Sequence, residues 1–176
     1  MDRFPLWAKA ISPLLHSIWQ AGQVLWSLHK QPKLHAVSRS EMRLVLAHRL
    51  IAIDRYEMQT SYKGTLVVVH GMSPKGKNDP RIIALCAALS LVGFRVLAPE
   101  IISIKNLKID AAQVTQLAAI FQAIAGDAQL TPNGKLGVLA PSFSGAMSLT
   151  AAARPVVRDR IETICTIGTF TQVDTV

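Results

Sequence analysis

The chain has 176 residues and a formal net charge of +8, with 50% of its residues hydrophobic and 17% charged. This composition excludes an intrinsically disordered chain, which would combine low hydrophobicity with high net charge. The two cysteines are too few to build a disulfide framework. The basic residues are scattered rather than gathered in a stripe with aromatic residues, so we expect no nucleic-acid partner.

The N-terminal segment carries no charged residue between positions 10 and 28. Its length permits a membrane span, but polar residues such as His16 and Gln20 interrupt it, and its apolar residues recur at helical spacing. We therefore predict an amphipathic helix that either lies on a membrane surface or packs on the rest of the protein. Residues 1–30 are the candidates for peripheral membrane contact. A polar, basic stretch then predicts an arm of residues 1–40 followed by a domain of residues 41–176.

Residues 41–62 fit either a short helix or strand, and the pattern becomes clear only from Gly64 onward. Continuous apolar runs indicate four buried strands: 65–69 (TLVVV), 94–98 (FRVLA), 136–139 (LGVL) and Ile161–Ile167 (IETICTI). Three helices are predicted between them, beginning at Asp79-Pro80, at Asp110 and near Ser144. This alternation predicts a three-layer α/β fold, with a mainly parallel sheet and helices on both faces.

Each of the two cysteines, Cys86 and Cys165, falls in an apolar run. We expect both to be small buried residues with reduced thiols, as in a cytoplasmic protein. The histidines and carboxylates lack the spacing of metal ligands. The sequence therefore predicts neither a metal nor another cofactor.

Two loops that follow predicted strands carry residues suited to chemistry. After the third strand comes the sequence APSFSG, in which Ser142 stands between a predicted strand and a predicted helix. Such a nucleophile elbow requires small residues two places before and after the serine, and Ala140 and Ser144 meet that requirement. Gly145 allows the helix to pack closely on the neighbouring strand.

The same loops are placed to supply an oxyanion hole. Phe143, as the residue after the predicted nucleophile, would donate one backbone N–H at a helix N-terminus. The second donor would come from the loop after the first strand, near Gly71 or Met72.

The two stretches TLVVVHGMSPKGKNDPRIIALCAALSLVGFRVLAPE and GVLAPSFSGAMSL resemble the α/β-hydrolase fold superfamily, above all its bacterial esterases and dienelactone-hydrolase-like members. The resemblance covers residues 64–172. It implies that Ser142 is the nucleophile, that the amides of Met72 and Phe143 form the oxyanion hole, and that His70 orients the loop without joining the triad. It also implies hydrolysis of a small-molecule ester or related acyl compound, without a cofactor.

The sequence departs from this family in one important respect. Family members place the triad histidine after the serine, whereas the five histidines of this chain all precede Ser142. Family members also continue for two more strands. We therefore expect the chain to correspond to the N-terminal half of a hydrolase, with weak or no turnover on its own. His48 is the best-placed substitute base by sequence order. The oligomeric state and the substrate's identity have no signal in the sequence.

Two alternatives from other functional classes remain. The residues from Gly71 to Lys77 nearly match a phosphate-binding loop, but Asn78 stands where that loop needs a hydroxyl for Mg²⁺. We expect Lys75 and Lys77 to face solvent instead. The other alternative is a non-catalytic, membrane-associated interaction module anchored by residues 1–30.

Overall fold

The computed structural model describes residues 19, 21–25, 37–46, 49–58 and 62–170. Within these residues, six strands form one mixed sheet in the order β1-β2-β4-β3-β5-β6. The strands are β1 (Ser38–Leu46), β2 (Arg49–Glu57), β3 (Thr65–Val68), β4 (Arg95–Pro99), β5 (Leu136–Pro141) and β6 (Ile161–Ile167). The helices are α1 (Pro80–Leu91), the short α2 (Ile102–Lys105), α3 (Ala112–Gly126) and α4 (Phe143–Ala152).

Strands β3 to β6 are the four strands that the sequence predicts, and they run parallel to one another. β3 lies at the centre between β4 and β5, and its residues Val67 and Val68 are fully buried. A strand in that position is covered on its two faces, which explains its unbroken β-branched run. The predicted α/β architecture is therefore confirmed.

The ambiguous stretch at residues 41–62 contains strand residues rather than a helix. β1 pairs antiparallel with β2, and β2 pairs antiparallel with β4. Met42, Leu44 and Leu46 alternate along β1 and pack against a buried cluster that includes Ile51 and Ile53 of β2. This period of two is the mark of a strand with one covered face.

Helices cover both faces of the sheet and divide the core into two clusters. One cluster joins α1, through Ile82 and Cys86, to Val68 of β3. The other joins α3, through Phe121 and Ile124, to Val67 of β3. Because Val67 and Val68 point to opposite faces of the strand, the two clusters lie on opposite sides of the sheet. The three-layer arrangement follows from this.

The N-terminal prediction falls almost entirely outside the described residues. Residues 21–25 are helical, and Trp19 and Leu25 are largely exposed. No helix within the described ranges is long and apolar enough to cross a membrane. β1 begins at Ser38, and the predicted boundary at residue 40 remains a prediction.

The expectation that both cysteines are buried is wrong for one of them. Cys86 is a buried residue of α1, but Cys165 is exposed on β6. Among the described strands, β6 pairs only with β5, so it lies at the edge of the sheet. An apolar run indicates a buried strand only where helices cover its two faces, and the residues of β6 are all at least partly exposed.

We predict that Phe121→Ala lowers the free energy of unfolding by about 3–5 kcal/mol, because it empties a fully buried site in the larger cluster. Urea denaturation measures this. Ile109→Ala, at a residue that is 72% exposed, is the matched control and should change stability by less than about 0.5 kcal/mol. Equal effects of the two substitutions would contradict the described core.

Candidate functional site

The turn between β5 and α4 holds Ser142 in a rare backbone conformation. Its φ is 58° and its ψ is −138°, and α4 begins at the next residue. A positive φ is uncommon for any residue other than glycine. The side chain is exposed, and within the described residues its hydroxyl makes no hydrogen bond. The turn therefore presents a free hydroxyl at the carboxyl end of β5.

Two backbone hydrogen bonds hold this turn. The Ser142 N–H donates to the Ile167 carbonyl at 2.8 Å, and the Ser142 carbonyl accepts from the Gly145 N–H at 2.9 Å. The first ties the serine to the end of β6, and the second ties it to the first turn of α4. The conformation is thus fixed from both sides of the residue.

The small residues around the turn are placed as the sequence predicts. Ala140 and Ser144 are fully buried, and the Ser144 hydroxyl donates to the Pro141 carbonyl at 2.7 Å. At position 145, an alanine Cβ would lie 2.7 Å from the Cβ of Thr169 and 3.0 Å from the Ala140 carbonyl oxygen. Only glycine permits this approach of α4 to the chain that follows β6.

The loop after β3 lies directly against the serine. An added Cβ at Gly71 would lie 3.6 Å from the Cβ of Ser142. A cleft of about 280 Å³ opens between the two loops, and its lining includes Met72, Ser73 and Ser142. The N–H groups of Met72 and Phe143 donate no hydrogen bond to any described residue. The structure therefore places the predicted nucleophile and the two predicted oxyanion donors together at the carboxyl ends of the neighbouring strands β3 and β5.

His70 lies behind this loop rather than in the cleft. It is 1% exposed, and its Nδ1 lies 2.9 Å from the Gly71 carbonyl oxygen, which can only accept, so Nδ1 donates this hydrogen bond. Its Nε2 lies 3.1 Å from the Ile101 N–H and 3.1 Å from Glu100 Oε1. The ring is thus fully engaged in holding the loop.

The other four histidines, at positions 16, 29, 35 and 48, lie outside the described residues. No histidine of the described ranges lines the cleft.

Glu100 is a buried carboxylate that the sequence analysis did not single out. It accepts hydrogen bonds from the Lys77 backbone N–H at 3.3 Å and from Lys105 Nζ at 3.1 Å. Burial would raise the pKa of this carboxyl, but His70 and Lys105 outweigh burial and lower it to about 2. Glu100 directly follows β4, and this position after a parallel strand is the sequence feature that could have identified it as a residue near the site.

The expectation that Lys77 faces solvent is wrong, whereas Lys75 is exposed as expected. Lys77 is 5% exposed, and its Nζ lies 2.5 Å from Asp54 Oδ1 and 2.9 Å from Glu41 Oε2. Burial alone would lower its pKa, but the hydrogen bonds to these carboxylates outweigh burial and raise it. The ammonium is therefore engaged with β1 and β2, which argues against a phosphate-binding role.

Asp79 and Arg81 also line the cleft, and the sequence analysis missed this role. Asp79 caps α1 as predicted, accepting from the Arg81 N–H at 3.0 Å. It also binds the Arg81 guanidinium and the Ser73 hydroxyl, and these contacts outweigh burial and lower its pKa, Arg81 having the largest effect. Arg81 itself is highly exposed at the rim.

The described residues contain no group of three or more histidine, cysteine or acidic side chains placed to hold a metal ion.

Comparison with known proteins gives matches in structure only. No protein-family model matches the sequence, and no curated protein matches it. A dienelactone hydrolase from Anabaena variabilis superimposes with a TM-score of 0.64 at 15% identity, over 77% of this chain and 65% of that one. The esterase Est22 gives 0.65 at 11% identity, over 90% of this chain and 52% of that one.

A third solved structure, brefeldin A esterase, a bacterial homologue of human hormone sensitive lipase, gives a TM-score of 0.58 at 16% identity, over 73% of this chain and 39% of that one. These three proteins share the α/β-hydrolase fold, and the chain described here has that fold. The chain spans between 39 and 65% of the length of the three solved structures.

We predict that ionised Glu100 stabilises the folded protein and that this contribution is lost in acid, when the carboxylate is protonated. Its folded pKa of about 2 lies below the ordinary value of 4.5, so its contribution is complete above pH 4.5 and is lost as the pH falls towards 2. Glu100→Gln should therefore flatten the decline in unfolding free energy over this interval, measured by urea denaturation at several pH values. Some decline should remain, because Asp79, whose pKa is also lowered, is present in the wild type and in Glu100→Gln.

The matched control for this prediction is Glu162→Gln, at an exposed position on β6. It should retain the wild-type decline in acid. A Glu100→Gln protein that declines as steeply as the control would contradict the role assigned to the buried carboxylate.

Proposed function

We propose that the chain is a serine hydrolase-type domain that cleaves esters or related acyl compounds through an acyl-enzyme on Ser142. One observation carries the proposal: a serine with positive φ holds an unbonded hydroxyl beside Gly71 in a cleft. A strained serine at a strand-to-helix turn is the arrangement that exposes a nucleophile above a parallel sheet. The substrate would be a small-molecule ester of a size suited to a cleft of about 280 Å³.

The proposed chemistry divides into attack and charge stabilisation. Ser142 Oγ forms a bond to the acyl carbon and passes its proton to hydroxide or water, and the carbonyl oxygen becomes an oxyanion. The amides of Met72 and Phe143 donate to that oxygen, and the helix N-terminus at Phe143 favours its negative charge. Collapse of the intermediate breaks the bond to the leaving oxygen, which takes a proton from water and departs as the alcohol. Water then attacks the acyl carbon, releases the acid and regenerates the Ser142 hydroxyl.

The proposal includes impaired turnover. Within the described residues, the cleft has no histidine to accept the serine proton, and the carboxylate of Asp79 is already occupied by Arg81 and Ser73. A serine without its base keeps the contribution of the oxyanion hole and of substrate binding, about 10³–10⁴-fold over water. Acylation and release of the acyl group are therefore both expected to be slow.

The names of the solved structures point to the same chemistry. One is a dienelactone hydrolase and two are esterases. At identities of 11 to 16%, these likenesses support the class of reaction and leave the acyl group open.

We predict that a fluorophosphonate probe labels the wild-type chain and that Ser142→Ala abolishes the labelling. Peptide mapping by mass spectrometry should place the adduct on residue 142. The matched control is Ser148→Ala, in the helix α4 that directly follows Ser142. Its hydroxyl is buried without a partner, so its removal should change the labelling rate by less than about twofold. Wild-type labelling that survives Ser142→Ala would contradict the proposal.

The pH dependence of labelling tests the missing base. Without a histidine base, the rate should continue to rise above pH 8, because hydroxide or the solvent must take the serine proton. A rate that levels off near the ordinary histidine pKa of about 6.5 would instead show that an imidazole acts at the site, which would contradict the impaired triad.

A further inference from the structure

The loop between β3 and α1 is held by buried charges in addition to the packing of Met72 against the larger core cluster. Lys77 Nζ contacts Asp54 of β2 and Glu41 of β1, and Lys77 and Asp54 are 5% and 2% exposed. A lysine placed this deep in a protein is unusual unless it is paired. A buried ion pair contributes little net stability compared with an apolar pair of the same volume, so a conformational role is the better explanation.

A second tether joins the same loop to the same strands. Arg39 of β1 donates from its guanidinium to Asp54 Oδ2 and, at 2.6 Å, to the side-chain oxygen of Asn78. Asp54 is therefore the shared anchor: one of its oxygens holds Lys77, and the other holds the arginine that reaches the next loop residue. The two neighbouring positions 77 and 78 are fixed relative to the sheet.

These tethers continue to the oxyanion side of the cleft through a short series of contacts. The residue after Asn78 is Asp79, whose Oδ2 accepts from the Ser73 hydroxyl at 2.8 Å. The Ser73 carbonyl in turn accepts from the Gly76 N–H at 2.9 Å. Ser73 is thus held at its side chain and at its backbone, and it directly follows Met72.

Gly76 shows how closely the loop fits its surroundings. Its φ is +54°, and a Cβ at this position would lie 1.9 Å from Glu100 Oε1. The loop therefore passes over the buried carboxylate with no space for a side chain. Movement of Lys77 away from Asp54 would displace this contact and, through Ser73, the amide of Met72.

We propose that Lys77 is a positioning residue whose buried ion pair with Asp54 holds residues 71–79 so that the Met72 amide faces Ser142. This inference rests on the proposed function for the role of that amide. The tether itself is a property of the loop and is measurable without any catalysis.

The test compares wild type, Lys77→Met and the double variant Lys77→Met with Asp54→Asn in the full chain. Hydrogen exchange of residues 71–79 should be about 2- to 30-fold faster in both variants, as expected when a coupled contact is lost, while α3 exchanges as in wild type. Fluorophosphonate labelling of Ser142 should fall by about tenfold or more, since loss of one oxyanion donor costs about 10²–10³-fold in turnover.

The double variant separates positioning from stability. Removing both members of the pair leaves no buried Asp54 carboxylate that has lost its ammonium partner, so stability should recover relative to Lys77→Met. The loop should nevertheless remain fast in exchange, and Ser142 should remain slow in labelling. Recovery of loop protection and labelling together with stability would overturn the proposal, because the pair would then act on the fold alone.

Two milder variants keep the test decisive if Lys77→Met does not fold. Lys77→Arg retains the charge and should preserve most of the loop protection. Asn78→Ala removes only the exposed tether to Arg39 and should loosen the loop less than loss of Lys77 does. Wild-type loop exchange in a folded Lys77→Met or double variant, or loop exchange in Asn78→Ala as fast as after loss of Lys77, would overturn the proposal. Faster loop exchange, with a wild-type Ser142 that takes no label, would support the tether and contradict the proposed function.

Discussion

The backbone conformation of Ser142 is the constraint on which the rest of the site depends. A residue other than glycine held in a sparsely populated region costs about 1–3 kcal/mol, and it persists only where its neighbours fix it. Here β5 pairs with β3 on one side and β6 on the other. The Ser142 N–H extends the pairing with β6 by one further bond, to Ile167. The edge strand, although exposed, therefore helps to maintain the strained turn.

The two halves of the cleft are made rigid by different means. On the side of Ser142, parallel pairing and small buried residues at 140, 144 and 145 fix the backbone. On the side of Met72, the loop is irregular and does not pair with a strand, so contacts made by side chains hold it in place. His70 binds the Gly71 carbonyl, and Lys77 binds Asp54. On this side of the cleft, contacts of buried polar and charged side chains hold the backbone, whereas strand pairing holds it on the side of Ser142.

The sequence predicts those parts of the fold that local patterns determine. The four parallel strands and the strand-to-helix turn at Ser142 follow from short apolar runs and from small residues at fixed offsets. The hairpin of β1 and β2, the burial of Lys77 and the exposure of Cys165 do not, because each depends on which strand lies beside which. Lys77 is 23 residues from Asp54 in sequence, and no local pattern marks that pairing.

The same distinction between local and distant contacts explains why the proposed site has candidate oxyanion donors but, within the described residues, no general base. An oxyanion hole is built from backbone amides that stand next to the nucleophile or at the end of the neighbouring strand, so a few parallel strands are sufficient to assemble it. A general base is a side chain that must reach the nucleophile from elsewhere in the fold. The one described histidine, His70, already uses both ring nitrogens behind the loop. In the proposed site, the described residues therefore provide the nucleophile and the oxyanion donors, whereas the described histidine is not placed to act as the base.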